Sequence, residues 1–249
     1  AVILIMPSDH VIIDTIAFKA AIKKSIQAAV DGSFVTFGIH PTKAHTGFGY
    51  IKKSNMISHQ KGCFKVDAFI EKPKLAAAEE FLEDDNYYWN GGIFLFAVSK
   101  YIEELERRSP QIIKACKTAV SNAKMDLDFH RLDKESFTKS PSISIDYAIM
   151  EKSENIVVVP VKMGWNDVGS WDAVWQLLDK DKNGNVIIGD VISRNTKNSL
   201  IRSENTLVAT VGLENTIVIA TNDAILVANK DVAQDVNSIV EEIRSTNRP

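Results

Sequence analysis

Two aspartates stand where a carboxylate can take part in chemistry. Asp9 follows the apolar run Ile3–Met6, and Asp167 lies beyond the β-branched run Ile156–Val161. Both runs are typical of buried strands, so each aspartate is expected in a loop after the carboxyl end of a strand, where open α/β sheets bind ligands. We expect the two strands to be neighbours in a mostly parallel sheet. Two adjacent carboxylates would suit Mg²⁺, which completes its octahedron with water and substrate phosphates.

The surroundings of Asp167 leave a second interpretation open. Gly164 and Gly169 flank the aspartate and allow the backbone to approach a bound group closely. Residues 172–179 follow with apolar side chains at helical spacing. A carboxylate just before such a run is also typical of a helix or turn cap.

Three further positions could contact a phosphorylated sugar. Lys72 follows the predicted strand Val66–Ile70 and can bring a point charge to a phosphate. Asn90, followed by two glycines, can hydrogen-bond a sugar hydroxyl while the backbone comes close. Gly47 lies in a loop of glycines and aromatic residues, where the backbone can likewise come close to a ligand. The alternative for Lys72-Pro73 is a solvated turn, and the alternative for Asn90-Gly91 is a turn dipeptide.

Composition narrows the class of protein. The 249 residues are 45% hydrophobic and carry a formal net charge of −3, which is typical of a globular protein and argues against a nucleic-acid partner. The apolar start is too short for a membrane span. Cys63 and Cys116 have no metal-type spacing, so reduced thiols in the cytoplasm are expected. His10 beside Asp9 is interpreted as a loop hydrogen-bonding group rather than a metal ligand.

The order of elements predicts an α/β fold. A strand at Ile3–Met6, a helix at Ile16–Val30 and a strand at Phe34–Ile39 form a βαβ unit, with Asp14 or Thr15 as the helix cap. The turn-rich residues 181–185 predict a domain boundary, which gives domains at 1–183 and 184–249. Short β-branched runs after it predict a small β layer or a few solenoid coils, with a final helix.

Taken together and in order, these motifs resemble the bacterial mannose-1-phosphate guanylyltransferases (GDP-mannose pyrophosphorylases). The residues that carry the resemblance are Pro7–His10, Thr46–Ile51, Phe69–Pro73, Trp89–Phe94, Ser144–Tyr147 and Gly164–Trp171, with Val208–Gly212 and Asp223–Val227 in the tail. The resemblance implies a nucleotide-diphospho-sugar transferase (Rossmann-like) fold, a mixed and mostly parallel sheet, and a C-terminal β-helix-like segment. It also implies the synthesis of GDP-mannose and pyrophosphate from GTP and mannose 1-phosphate with Mg²⁺.

The resemblance assigns roles to individual residues. It implies that Asp9 and Asp167 are catalytic residues that bind the Mg²⁺ ion, and that Lys72 is a catalytic contact to the sugar phosphate. The attacking phosphate oxygen is already ionised, so catalysis would depend on positioning and charge neutralisation rather than on a strong base. The substrate-binding residues that it implies are Gly47, Glu71 and Asn90.

The chain departs from the family pattern at its start. The family begins with a strand and a glycine-rich loop that carries Arg and Lys for the nucleotide phosphates, whereas this sequence starts at the strand before Asp9. Bifunctional members also carry a cupin-like isomerase domain after the β tail. We therefore expect an N-terminally truncated chain that binds mannose 1-phosphate weakly and makes no GDP-mannose by itself. We also expect apolar surface around Ile3 and Ile5.

Two alternatives and the assembly remain open. One alternative is a related sugar-nucleotide pyrophosphorylase that uses another sugar or base. The other is a truncated, catalytically inactive homologue that binds a sugar phosphate. The resemblance leaves a homodimer open, and neither a nucleic acid nor a membrane is expected as a partner.

Overall fold

The chain forms ten strands and seven helices up to Leu177 in a computed structural model, which describes residues 1–246. The strands are β1 (Val2–Ile5), β2 (Val11–Ile12), β3 (Phe34–Ile39), β4 (Tyr50–Met56), β5 (Phe64–Ile70), β6 (Tyr87–Ala97), β7 (Lys124–Asp126), β8 (Phe129–Arg131), β9 (Ile156–Pro160) and β10 (Trp165–Asn166). The helices are α1 (Thr15–Val30), α2 (Leu75–Leu82), α3 (Val98–Arg108), α4 (Pro110–Ser121), α5 (Lys134–Phe137), α6 (Ile145–Ala148) and α7 (Trp171–Leu177), with a 3₁₀ turn at Met150–Lys152.

The α/β class is confirmed, but the expectation of a mostly parallel sheet is wrong. Six strands form the central sheet in the order β1-β6-β3-β9-β5-β4, and β4 also pairs with β6. Among the described residues, only β3 and β9 of this sheet pair in parallel. The physical reason is the position of β6, which runs antiparallel between β1 and β3. The spacing of the βαβ unit predicts that β1 and β3 point the same way, but not that they are neighbours.

The sheet is covered on both faces. Alternate residues of β3 point to opposite sides, so Val35 packs with Phe18 of α1 while Phe34 packs with Phe96 and Leu105. This double burial explains why both faces of β3 carry apolar residues, instead of one apolar face and one polar face. The helix α1 begins where the sequence predicts, because the Asp14 carboxylate accepts a hydrogen bond from the backbone N–H of Ala17 at 2.8 Å.

The strand β1 forms an edge of the central sheet, where it pairs with β6. Val2 and Ile3 are exposed, with 38% and 40% of their surface accessible, while Ile5 is half-buried against the core. The apolar surface expected around Ile3 is therefore present, whereas Ile5 is largely covered.

The chain forms two compact units. The first contains Ala1–Ser8 and Ile12–Trp165, and the second contains Asp9–Val11 together with the chain from Asn166 onward. The short strands β2 and β10 pair with each other. No helix among residues 1–246 combines the length and the apolar character that crossing a membrane would require.

The second unit consists of short strands stacked in parallel. Its strands are β11 (Val186–Ile188), β12 (Val191–Arg194), β13 (Leu200–Ser203), β14 (Val208–Val211), β15 (Thr216–Ala220) and β16 (Ile225–Asn229). One sheet has the order β11-β13-β15-β16, in which only the β15–β16 pair of the described residues is antiparallel, and β12 pairs with β14 in parallel. The predicted final helix is present as a 3₁₀ segment at Lys230–Asp235 followed by α8 (Val236–Ser245).

The buried side chain of Asn185 connects successive turns of this unit. Its amide nitrogen donates to the carbonyl of Thr196 at 2.8 Å, and its amide oxygen accepts from the backbone N–H of Ser199 at 3.1 Å. Both partners are buried backbone groups that need a hydrogen bond in the folded state. Asn185 therefore replaces part of the backbone pairing between these turns.

We predict that Asn185→Ala destabilises the second unit by about 1–3 kcal/mol, because it leaves these buried backbone groups without partners. Urea unfolding measures the change in the free energy of unfolding. The matched control is Asn183→Ala, since Asn183 is exposed and lies in the same turn. Equal stabilities of the two variants would contradict this account of Asn185.

Candidate active site

The strand β6 contains a polar side chain, Asn90, that is buried within the central sheet. Asn90 is only 8% exposed, and its amide oxygen accepts hydrogen bonds from the Thr36 hydroxyl at 3.0 Å and the Gly92 backbone N–H at 3.2 Å. A backbone N–H can only donate, so it fixes which end of the amide is the oxygen. The amide nitrogen then donates to the carboxylate of Asp146 at 2.8 Å. The turn alternative for Asn90-Gly91 is therefore wrong, since both residues lie within β6.

Glu71 follows directly after β5 and presents a nearly buried carboxyl group. Its side chain is 10% exposed, and its Oε2 atom is buried with no hydrogen-bond partner among residues 1–246. Burial, reinforced by the negative charge of Asp146, raises the pKa of Glu71 to about 7. An unpaired buried carboxyl oxygen is costly in a folded protein. Such a group is a strong candidate for a ligand contact.

Gly49 forms the backbone wall against this carboxyl group. A Cβ atom at position 49 would collide with Glu71 Oε2 and would lie 3.3 Å from the Cβ atom of Asn90. The backbone carbonyl of Gly49 also accepts a hydrogen bond from the backbone N–H of Asn90 at 2.8 Å. Glu71 and Asn90 therefore lie together beside the one residue type that leaves room for them.

We predict that Gly49→Ala displaces the Glu71 carboxyl group and lowers the free energy of unfolding by about 1–3 kcal/mol, the usual cost of an overpacked site. Urea unfolding at neutral pH measures this loss. Gly47→Ala is the comparison, because its Cβ atom would meet only the side chain of His45, at 3.0 Å, in an exposed loop. An equal effect of the two substitutions would contradict the close packing of Gly49.

Asp146 is the member of this group that sequence reasoning missed as a site residue. It lies in the first turn of α6, which Ser144 caps by accepting from the backbone N–H of Tyr147. Burial raises the pKa of Asp146, and the hydrogen bond from Asn90 opposes this rise. The signal was available in the motif Ser144–Tyr147, where a short capped helix holds a carboxylate at a fixed position.

Lys72 places the cation of this group at the surface. Its backbone has φ +50°, and its side chain is 58% exposed, with the Nζ atom 3.9 Å from Glu71 Oε1. This exposure agrees with the solvated-turn interpretation. It also leaves the ammonium group accessible to an anion beside the Glu71 carboxyl group.

Gly47 lies in an exposed loop held by aromatic contacts. The backbone N–H of Gly47 donates to His45 Nδ1 at 3.1 Å, and the His45 ring stacks on Phe48 with centroids 3.9 Å apart. Phe48 in turn contacts Trp89 edge to face at 5.1 Å. The buried Nε1 atom of Trp89 has no acceptor within the described part of the chain. Gly47 is therefore connected to β6, the strand of Asn90, through these aromatic rings.

Asp9 and Asp167 both belong to the second unit. The expectation that they end neighbouring strands of the central sheet is wrong, because β6 and β3 separate β1 from β9. Each aspartate instead adjoins the β2–β10 pair, with Asp9 before β2 and Asp167 directly after β10. Backbone hydrogen bonds from Ile13 to Gly164 and from Asp14 to Met163 run in antiparallel order. Antiparallel order brings the start of β2 and the end of β10 to the same end of the pair.

Asp167 does not cap the following helix, α7. Ser170 is the cap of α7, since its hydroxyl accepts from the backbone N–H of Ala173 at 3.2 Å. The Asp167 carboxylate instead lies over Gly169, where a Cβ atom would come within 2.5 Å of Oδ2. Within residues 1–246, no cluster of three or more His, Cys, Asp or Glu side chains could hold a metal. A two-carboxylate site of the kind that Mg²⁺ shares with substrate and water stays a prediction.

Comparison with known proteins identifies the family. Residues 1–184 match the Nucleotidyl transferase family, and residues 189–243 match the MannoseP isomerase/GMP-like beta-helix domain. The chain belongs to the nucleotidyl transferase family. This match confirms the predicted transferase fold and its β-helix-like C-terminal segment, which the parallel stacking of β11, β13 and β15 shows directly.

The resemblance stated from the sequence is confirmed by whole-chain relatives of this nucleotidyl transferase. A Salmonella montevideo protein named mannose-1-phosphate guanylyltransferase is 47% identical over 252 residues, which cover 100% of this chain and 53% of that protein. The Xanthan biosynthesis protein XanB of Xanthomonas campestris is 48% identical over 246 residues, with coverages of 99% and 52%. The chain thus spans about half the length of the curated relatives it matches.

A solved structure shows the same fold over nearly the whole chain. It is described as a mannose-1-phosphate geranyltransferase from Thermus thermophilus, and the TM-score is 0.83 at 31% identity. The match covers 98% of this chain and 70% of the Thermus chain. The transferase fold and its β-helix segment therefore occur together in a known structure.

Proposed function

We propose that this chain carries sugar-phosphate-binding and metal-binding residues of a mannose-1-phosphate guanylyltransferase. A phosphate oxygen of mannose 1-phosphate would attack the α-phosphorus of GTP, forming one P–O bond. The bond from the α-phosphorus to the bridging oxygen would break, and its electron pair would leave with pyrophosphate. The attacking oxygen is already ionised at neutral pH, so the step requires no proton acceptor. Relatives that are named for this activity support the proposal.

The observation that carries the proposal is the polar group within the first unit. Glu71 and Asn90 lie together beside Gly49, and Glu71 Oε2 lacks a partner among the described residues. A carboxyl oxygen and an amide suit the hydroxyl groups of a sugar, which both donate and accept hydrogen bonds. The accessible ammonium group of Lys72, 3.9 Å from Glu71, suits the phosphate on the same ligand. These residues would bind and orient the sugar phosphate, which is the main requirement of the reaction.

The metal part of the proposal rests on Asp9 and Asp167. Each adjoins the β2–β10 pair, and neither is required as the cap of α7. Two carboxylates are ligands of the kind that Mg²⁺ takes together with water and substrate phosphates, and the ion would neutralise phosphate charge when bound. We also propose the cytoplasm as the location, because Cys63 and Cys116 are both free thiols, as is usual in a reducing compartment. A homodimer stays a prediction.

The test uses the natural gene product that carries this sequence, purified and supplied with GTP, mannose 1-phosphate and MgCl₂. We expect GDP-mannose and pyrophosphate to form in equal amounts. We also expect their formation to stop when EDTA is added. Parallel reactions contain glucose 1-phosphate in place of the sugar phosphate, or UTP in place of GTP. Faster turnover of a different pair would favour a related pyrophosphorylase. Calorimetric binding of mannose 1-phosphate without turnover would favour an inactive sugar-phosphate-binding homologue, and no binding would overturn the proposal.

A further inference from the structure

The hydrogen bonds around Asn90 include one to a residue whose role in the site has not been assigned, Asp146. Thr36 and Gly92 both donate to the amide oxygen of Asn90, so its amide nitrogen must face the other way. The nitrogen meets the carboxylate of Asp146 at 2.8 Å, which uses one of its two hydrogens. Asp146 is therefore the acceptor that the amide nitrogen meets in the orientation set by the two donors.

Asp146 also acts on the second polar residue beside Gly49. The groups whose charges face Glu71 are Asp146 on α6, Lys72 next in sequence and Glu151 in the 3₁₀ turn at Met150–Lys152. After burial itself, the negative charge of Asp146 is the strongest influence that raises the pKa of Glu71, ahead of that of Glu151. Lys72 acts in the opposite direction but is more than half exposed. One side chain, Asp146, thus touches Asn90 and influences Glu71.

We propose that Asp146 is a positioning residue of the sugar-phosphate site, which holds the Asn90 amide in place beside the neighbouring Glu71 carboxyl group. This inference rests on the proposed function for the identity of the ligand. With its pKa of about 7, the Glu71 carboxyl group can either donate a hydrogen bond to a sugar hydroxyl or accept one from it near neutral pH. Asp146 itself acts through Asn90 and Glu71 and is not assigned a contact with the ligand.

The first measurement needs no ligand. The Glu71 carboxyl group is titrated by carbon-detected NMR in the wild-type chain, in Asp146→Asn and in Glu151→Gln. Both variants remove one negative charge, but only Asp146 accepts a hydrogen bond from Asn90. We expect the Glu71 titration to move to lower pH in Asp146→Asn by more than in Glu151→Gln. We also expect only Asp146→Asn to shift the Asn90 side-chain NH₂ resonances. Unchanged Glu71 titration and unchanged Asn90 resonances in Asp146→Asn would overturn the inference.

The second measurement adds mannose 1-phosphate to the same proteins in a calorimeter between pH 5.5 and 8. We expect Asp146→Ala, which removes the acceptor, to bind about tenfold more weakly, equivalent to the loss of one hydrogen bond. Asp146→Glu should restore part of the affinity, and Glu151→Gln should bind like the wild type. Equal affinity and an equal pH profile in wild type and Asp146→Ala would overturn the inference. If the wild type does not bind, the proposed function fails, and the NMR titration still decides the role of Asp146.

Discussion

Asp167→Asn should fold like the wild type and lose at least about 100-fold in Mg²⁺-dependent GDP-mannose formation by the natural gene product. The amide keeps the shape of the side chain and its place over Gly169, but it removes the charge that a magnesium ion requires. Ser170 continues to cap α7 in the variant, so the helix does not depend on the carboxylate. The measurements are the initial rate at saturating substrates and the dependence of that rate on MgCl₂.

The matched control for this variant is Asp179→Asn, an exposed aspartate beyond the end of α7. It removes the same charge from the same unit, and its rate should equal that of the wild type. Thermal unfolding of both variants checks that the fold is intact. A rate for Asp167→Asn close to that of the wild type would exclude Asp167 as a metal ligand.

Glu71→Gln should make the protein more stable above pH 7 while it weakens the binding of mannose 1-phosphate. The pKa of Glu71 is raised from 4.5 to about 7 in the folded protein, so the folded state holds this proton more tightly than the unfolded chain does. Stability is therefore lost as the pH rises from about 4.5 to about 7, and the loss is complete above this window. The shift corresponds to roughly 3 kcal/mol, which the neutral glutamine should recover.

Urea unfolding at pH 5 and pH 8 measures this effect, with Glu79→Gln as the control because Glu79 is exposed on α2. The wild type and the control should both lose stability between the two pH values, and Glu71→Gln should lose less. Calorimetry should show affinity for mannose 1-phosphate reduced by about 10–100-fold, the range for hydrogen bonds to charged groups. A Glu71→Gln protein with the pH dependence of the wild type would show that Glu71 titrates normally.

Local signals in the sequence predict most individual elements of this fold. The run Phe34–Ile39 has the predicted bounds, and Asp14 caps α1 as its residue type indicates. The order of strands is not a local property. Nothing in the composition of Tyr87–Ala97 states that this strand inserts between β1 and β3, because that choice depends on the packing of both sheet faces.

The candidate site also contains residues that the sequence predicts and residues that it does not. Family resemblance brings Glu71, Lys72 and Asn90 into the hypothesis, and the structure places Glu71 beside both of the others. Asp146 was not predicted as a site residue, because its importance comes from a hydrogen bond between α6 and β6, across 56 residues of sequence. The burial of Glu71 and its raised pKa could not be predicted for the same reason. They depend on Gly49 and on the charge of Asp146, which lie elsewhere in the sequence.

The most direct test of the central claim is a titration of the isotopically labelled chain with mannose 1-phosphate, followed by NMR. We predict that the side-chain amide of Asn90 and the carboxyl carbon of Glu71 shift first and saturate together, and that Lys72→Ala weakens the binding seen in this titration. Glucose 6-phosphate at the same concentration should shift them less. Saturating shifts confined to other residues, with Asn90 and Glu71 unchanged, would contradict the claim that this polar group binds the sugar phosphate.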